Sequence, residues 1–114
     1  MSGGHFDYQQ YHIGYIADEV KQILEDAVNG KNPDWLDFTK IEIYQKIKEG
    51  WNLLKIAEIF AQRIDWLVSG DDDEESFIRR LKEDLDSVEP EKEQVEKLLP
   101  KINERLETKK QKKS

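Results

Sequence analysis

A chain of 114 residues with 37% hydrophobic and 38% charged side chains can build one modest core behind heavily solvated outer faces. Its net charge of −7 argues against general nucleic-acid binding, which needs a basic surface, and leaves room for a basic protein partner or for mimicry of DNA charge. The absence of cysteine excludes disulfides and thiolate sites, no apolar run is long enough to span a membrane, and nothing at the N-terminus reads as a signal peptide, so a cytoplasmic location is the default expectation.

Residues 1–10 are glycine-led and then aromatic, and read as an extended arm. From Ile13 the apolar positions Ile16, Ala17, Val20, Ile23, Leu24, Ala27 and Val28 follow the i, i+3, i+4, i+7 pattern of an amphipathic helix, which Asn29-Gly30 ends. Asn32-Pro33-Asp34-Trp35 predicts a turn or a single helical turn. Thr39-x-x-Glu42 then has the form of a capping box opening a long second helix that runs to Ser69. In that helix Leu53, Leu54, Ile56, Ala57, Phe60, Ala61, Ile64, Leu67 and Val68 share an arc of about 160° and are expected to face the core. The stripe Ile43, Ile47, Trp51 rotates away from the arc, which predicts a bend or two separate helices near Gly50.

Gly70 closes this element, and the acidic run Asp71–Glu75 supplies an N-cap and a first turn suited to the helix dipole. Phe77, Ile78, Leu81, Leu85 and Val88 give the third helix its buried stripe. Pro90 breaks the chain and opens a fourth helix bearing Val95, Leu98, Leu99, Ile102 and Leu106, within which Pro100 predicts a kink or an end. The expected fold is all-α: a small bundle of three to four helices with a long central helix, one domain over residues 1–106 and a disordered lysine-rich tail at 107–114. Charge is uneven. Residues 1–70 hold 7 basic and 11 acidic side chains (net −4), residues 71–96 hold 4 and 12 (net −8), and residues 97–114 hold 7 and 2 (net +5).

The segment 56–80 is where charge, aromatic surface and helix ends converge. Arg63 and Asp65 flank the apolar arc on opposite edges and, two residues apart, cannot pair along the helix. Asp65 is expected to accept from Ser69 or from another helix, and Arg63 to reach the acidic run or Asp18 and Glu19 as a structural ion pair. The functional alternative makes Arg63, Arg79 and Arg80 an anion-binding cluster, with Glu75 competing for Arg79 from one turn away. Ile59, Arg63 and Trp66 form a second stripe that covers the arm or the fourth helix, or else serves as a dimer surface. The acidic run lacks the Asp-x-Asp-x-Asp-Gly framework of a calcium loop, so capping accounts for it. His5, Asp7 and His12 alone have the look of a metal or acid–base set, without a recognisable spacing; no metal and no cofactor are expected. Phe6, Tyr8 and Tyr11 are expected to pin the arm across the bundle.

Two segments resemble a known family. Ser2-Gly3-Gly4-His5-Phe6-Asp7-Tyr8 with Tyr11 and Ile16-Ala17-Asp18-Glu19 is similar to the opening of small uncharacterised proteins of bacteriophage and prophage genomes. The stretch from Ala61 to Asp72, with Glu75-Ser76-Phe77 and Arg79-Arg80-Leu81, resembles their second signature block. The resemblance implies a viral or mobile-element context and brings no site residue with it. The expected function is a non-enzymatic accessory role through protein binding or self-association, with Arg63, Trp66, Arg79, Arg80, His5, Phe6 and Tyr8 as the candidate contact residues. The competing readings are a binder of a small anionic or nucleotide ligand, which would stack a base on aromatics and hold phosphate with the arginines, and a metal-dependent enzyme built on His5, Asp7, His12 and the acidic run.

Overall fold

A computed structural model describes residue 6, residues 8–36 and residues 38–112, the last four by backbone alone. Helix α1 spans Gln10–Asn29, α2 Ile41–Val68, α3 Glu74–Ser87, α4 Glu89–Glu96 and α5 Leu98–Lys112, with a 3-10 turn at Asp34–Leu36. No strand occurs among the described residues. Helices α1 and α2 form an antiparallel hairpin. The segments α3 and α4 follow one another back along α2, as the ion pairs Arg63–Asp84, Lys55–Glu91 and Lys48–Glu96 mark in order, and α5 continues from them against α1 and α2.

Local chemistry sets the joints. At Gly30, φ is +70° and its N–H donates to the Asp26 carbonyl, closing α1. Gly70, at φ +84°, ends α2 in the same way. Asp73 caps α3 by accepting from the Ser76 N–H at 2.7 Å, and that bond is the main cause holding the Asp73 carboxyl below its ordinary range. The joints at Val88 and Lys97 keep right-handed helical dihedrals, so α3, α4 and α5 are pieces of one interrupted helix. Their positions follow from the prolines: Pro90 has no N–H for the carbonyl of Asp86, and Pro100 none for that of Glu96, where α4 stops.

Several expectations are corrected. The Thr39–Glu42 capping box does not form: α2 starts at Ile41, its cap position is Lys40, and no side chain caps it. Helix α2 passes through Gly50 unbroken, so it is not two helices. The arm is not extended up to residue 10. Phe6 and Tyr8 accept from the N–H groups of Gln9 and Tyr11 in turns that lead into α1, with Tyr8 at φ +64°. Helical backbone also continues through the expected tail as far as Lys112.

The largest correction concerns which side of α2 faces inward. Its inner line is Tyr44, Ile47, Trp51, Leu54, Glu58, Gln62 and Asp65, spaced by threes and fours. The arc expected in the core lies largely outside: Leu53 is 66% exposed and Val68 53%, and Ala57, Phe60 and Ile64 are exposed too. Of the stripe Ile43, Ile47, Trp51, the last two pack inward with Leu54 beside them, and Ile43 is exposed.

The molecule therefore has two unlike halves. In one, Leu24, Ala27, Tyr44, Trp51, Val95, Ile102 and Leu106 make an apolar core where α1, α2, α4 and α5 meet. In the other, α1 lies against α2 through Gln10, Gly14, Glu58, Gln62 and Asp65, and no residue of α3 is fully buried. Gly14 permits this approach, since a Cβ there would sit 2.0 Å from the Glu58 carboxylate. Between the halves, Glu91 of α4 joins Lys21 of α1 at 3.1 Å and Lys55 of α2 at 3.3 Å. Partial burial pushes the Glu91 carboxyl up, but the hydrogen bonds and charge of the two lysines outweigh it and hold the group below its ordinary value.

Two tests follow from this packing. Gly30→Ala forces a side chain into the left-handed region and onto the Arg105 guanidinium, and should lower the unfolding free energy in urea by about 1–2 kcal/mol. A depressed folded-state pKa means Glu91 adds stability above the ordinary glutamate range, lost as pH falls through the lower folded value. Glu91→Gln should accordingly be less stable than wild type at pH 7, and the gap should close on acidification through roughly pH 4 and below, in parallel urea titrations.

Candidate functional site

The last two turns of α2 and the corner after them carry two polar clusters, on opposite edges of the helix. On one edge Arg63 donates from Nε to Asp84 Oδ2 at 2.6 Å and from Nη1 to Asp72 Oδ2 at 3.5 Å. Its guanidinium lies over the Trp66 ring, 4.6 Å from the centroid. Arg80 donates to the other oxygen of Asp72, whose side chain is only 1% exposed. The hydrogen bond that Arg63 donates to Asp84 is the largest cause raising the Arg63 pKa, opposed by partial burial and reinforced by Asp72, so this arginine stays charged. Local folding sets up the pairing: Gly70 turns the chain, and the N–H groups of Asp71 and Asp72 both donate to the Trp66 carbonyl, which tucks Asp72 under the corner.

On the other edge Asp65, 2% exposed, accepts from the Phe6 N–H at 2.7 Å and from Gln10 Nε2 at 3.5 Å. Gln10 Nε2 also donates to Gln62 Oε1 at 2.9 Å. A buried carboxylate at the end of α2 thus holds the backbone that leads into α1. This is the role the aromatic side chains of the arm were expected to play; instead Tyr8 and Tyr11 stack on one another at the surface, 6.0 Å between centroids.

Of the predicted contact residues, the structure brings Arg63, Trp66 and Arg80 together and ties Phe6 to Asp65 through its backbone. Arg79 stands apart on the α3 surface, 4.0 Å from Glu83 rather than paired with Glu75. His5 and Asp7 lie outside the described residues. His12 is exposed with its ring edge-on to Tyr15, and no group of three or more His, Asp or Glu side chains among the described residues is arranged to hold a metal.

The arginine cluster is balanced. Arg63 and Arg80 face Asp72 and Asp84, two charges against two, so both guanidinium groups are already engaged and the charge of the cluster is neutralised. Sequence reasoning missed Asp84, Gln10 and Gln62. Nothing local marks them, since Asp84 meets Arg63 across 21 residues and Gln10 meets Gln62 across 52. A cleft of about 400 Å³ between α2 and α4, lined by Lys48, Trp51, Asn52, Lys92 and Glu96 among others, contains none of the predicted contact residues.

Comparison of the chain with protein-family models, with curated proteins and with solved structures finds no match.

If Asp65 is the structural clamp between arm and helix, Asp65→Ala should cost about 1–3 kcal/mol, because it removes the carboxylate that accepts from the Phe6 N–H and one of the two acceptors of Gln10 Nε2. Asp65→Asn keeps an acceptor oxygen and should cost less than half as much. Equal losses in thermal or urea unfolding would count against the hydrogen-bonding role.

Proposed function

We propose that this protein acts by binding protein, itself included, through the outward face of α2, in a non-enzymatic accessory role. The observation that carries the reading is the inversion of α2. Its best apolar arc, with Leu53, Ala57, Phe60, Ile64 and Val68, faces solvent, while Glu58, Gln62 and Asp65 turn inward against α1. Exposed single apolar residues are ordinary, but a contiguous stripe along several helical turns is the mark of an interaction surface. The balanced charge of the Arg63–Asp72–Arg80–Asp84 cluster favours this reading over capture of a phosphate or nucleotide, and gives that corner the job of holding α3 beside the stripe. A phage or prophage context is supported by the two signature-like segments, the second of which, 61–81, contains Ile64 and Val68 of the stripe and Arg63, Trp66, Asp72 and Arg80 of the corner.

The test uses the stripe itself. At micromolar concentration the wild-type chain should either assemble, by sedimentation, or take up an environment-sensitive apolar dye. Phe60→Glu combined with Ile64→Lys should abolish both while leaving the helical circular dichroism unchanged, since both side chains are exposed. A chain that neither assembles nor binds dye would overturn the reading.

A further inference from the structure

The outward face of α2 has a stricter pattern than an apolar arc. Lys46, Gly50, Leu53, Ala57, Phe60, Ile64 and Leu67 follow one another at alternating steps of four and three, the 3.5-residue repeat of a helix-pairing seam, and the acidic run starts just past the helix end, beyond the turn at Gly70. The seam is apolar from Leu53 to Leu67, small at Gly50 and Ala57, basic at Lys46, and its other end gives onto the corner that begins the acidic run 71–75. Gly50 has nothing within 4 Å of the place its Cβ would occupy, and the Lys46 side chain, 79% exposed, pairs with Glu49 one turn on. Within one chain nothing explains a glycine in the open middle of a 28-residue helix, where it weakens the helix relative to alanine.

We infer that the occupant of this face is a second copy of the chain, whose α2 lies antiparallel on the first about a two-fold axis between Ala57 and Phe60. The inference rests on the reading of α2 as an interaction surface and names what binds there. A two-fold interface needs a self-complementary patch, and this seam is complementary to its own reverse. In the antiparallel register Ala57 of each chain meets Phe60 of the other, Leu53 meets Ile64, and Gly50 meets Leu67, so each of the three layers combines sizes that fill it evenly. Lys46 of each chain then lies toward the other's Gly70 corner, where the acidic run begins, once at each end.

The parallel, in-register alternative fails on the same residues. It would set Ala57 on Ala57 and Gly50 on Gly50, leaving voids, and crowd Phe60 on Phe60. It would also bring the two acidic runs 71–75 together and Lys46 against Lys46, like charges side by side. Shape supports a pairing as well. The radius of gyration is 18.0 Å and the extents are 63 × 23 × 17 Å, whereas a compact chain of this length would have a radius near 13 Å. A second copy on α2 thickens the half of the rod that has no apolar core of its own.

The lack of native cysteine makes the register directly testable. Native mass spectrometry of the wild-type chain should show an assembly with an even number of copies. Leu53→Cys and Ile64→Cys proteins, mixed and mildly oxidised, should form a disulfide-linked heterodimer at least tenfold faster than either forms a homodimer. Residues 53 and 64 of one helix are about 16 Å apart along its axis, so in the antiparallel register like cysteines are far beyond disulfide reach. Efficient homodimer formation by Leu53→Cys alone would overturn the register in favour of a parallel pair. A wild-type monomer that still binds the apolar dye would overturn the second copy as occupant and leave the interaction surface standing, whereas a monomer that binds no dye would remove both.

Discussion

One constraint organises this structure: α2 carries two lines of side chains, back to back, and every other helix packs on only one of them. The inner line runs from Tyr44 through Trp51 and Leu54 to Glu58, Gln62 and Asp65. Helices α1, α3, α4 and α5 all contact α2, and none of them takes up the face bearing Leu53, Phe60, Ile64 and Val68 as a core. Because the inner line changes from apolar to polar near Glu58, the chemistry that holds the bundle changes there too. Below that level burial of Trp51, Tyr44, Leu24 and Ile102 supplies the driving force. Above it hydrogen bonds and ion pairs set the geometry.

The polar half places a high demand on pairing. Buried carboxylates are tolerated only when every partner is in place, and Asp65 and Asp72 are each met by two donors. Such clusters hold a specific arrangement without adding much net stability, since desolvation offsets most of the attraction. Their effect is positional. Asp65 fixes where the N-terminal backbone enters α1, and Asp72, gripped by Arg63 and Arg80, fixes the angle at which α3 leaves the corner. Both contacts orient the exposed face of α2 between flanking helices while leaving it uncovered. The Arg63–Asp72–Arg80–Asp84 corner is thus a bracket between α2 and α3.

Much of the architecture was legible in the residues. Gly30 and Gly70 end α1 and α2, Asp73 opens α3, and Pro90 and Pro100 interrupt the C-terminal helix, all through effects confined to one turn of backbone. The separation of Arg63 from Asp65 was equally legible, because helical geometry alone puts them on different edges. The Thr39–Glu42 box failed by a single residue of offset in the helix start, the kind of error that local signals permit when two cap positions compete.

The inward direction of α2 was a different matter. Helical periodicity defines an apolar face, but says nothing about whether that face meets the chain's own core or something else. By itself the sequence determined the closing turns at Gly30 and Gly70, the cap at Asp73, the breaks at Pro90 and Pro100 and the two faces of α2, because dihedral preferences and missing backbone donors act locally. Only the tertiary structure decided that Gly14 admits Glu58, that Asp65 takes the Phe6 N–H and that Arg63 reaches Asp84. Those pairings join residues tens of positions apart, and together they turn the polar line of α2 inward and its apolar line out.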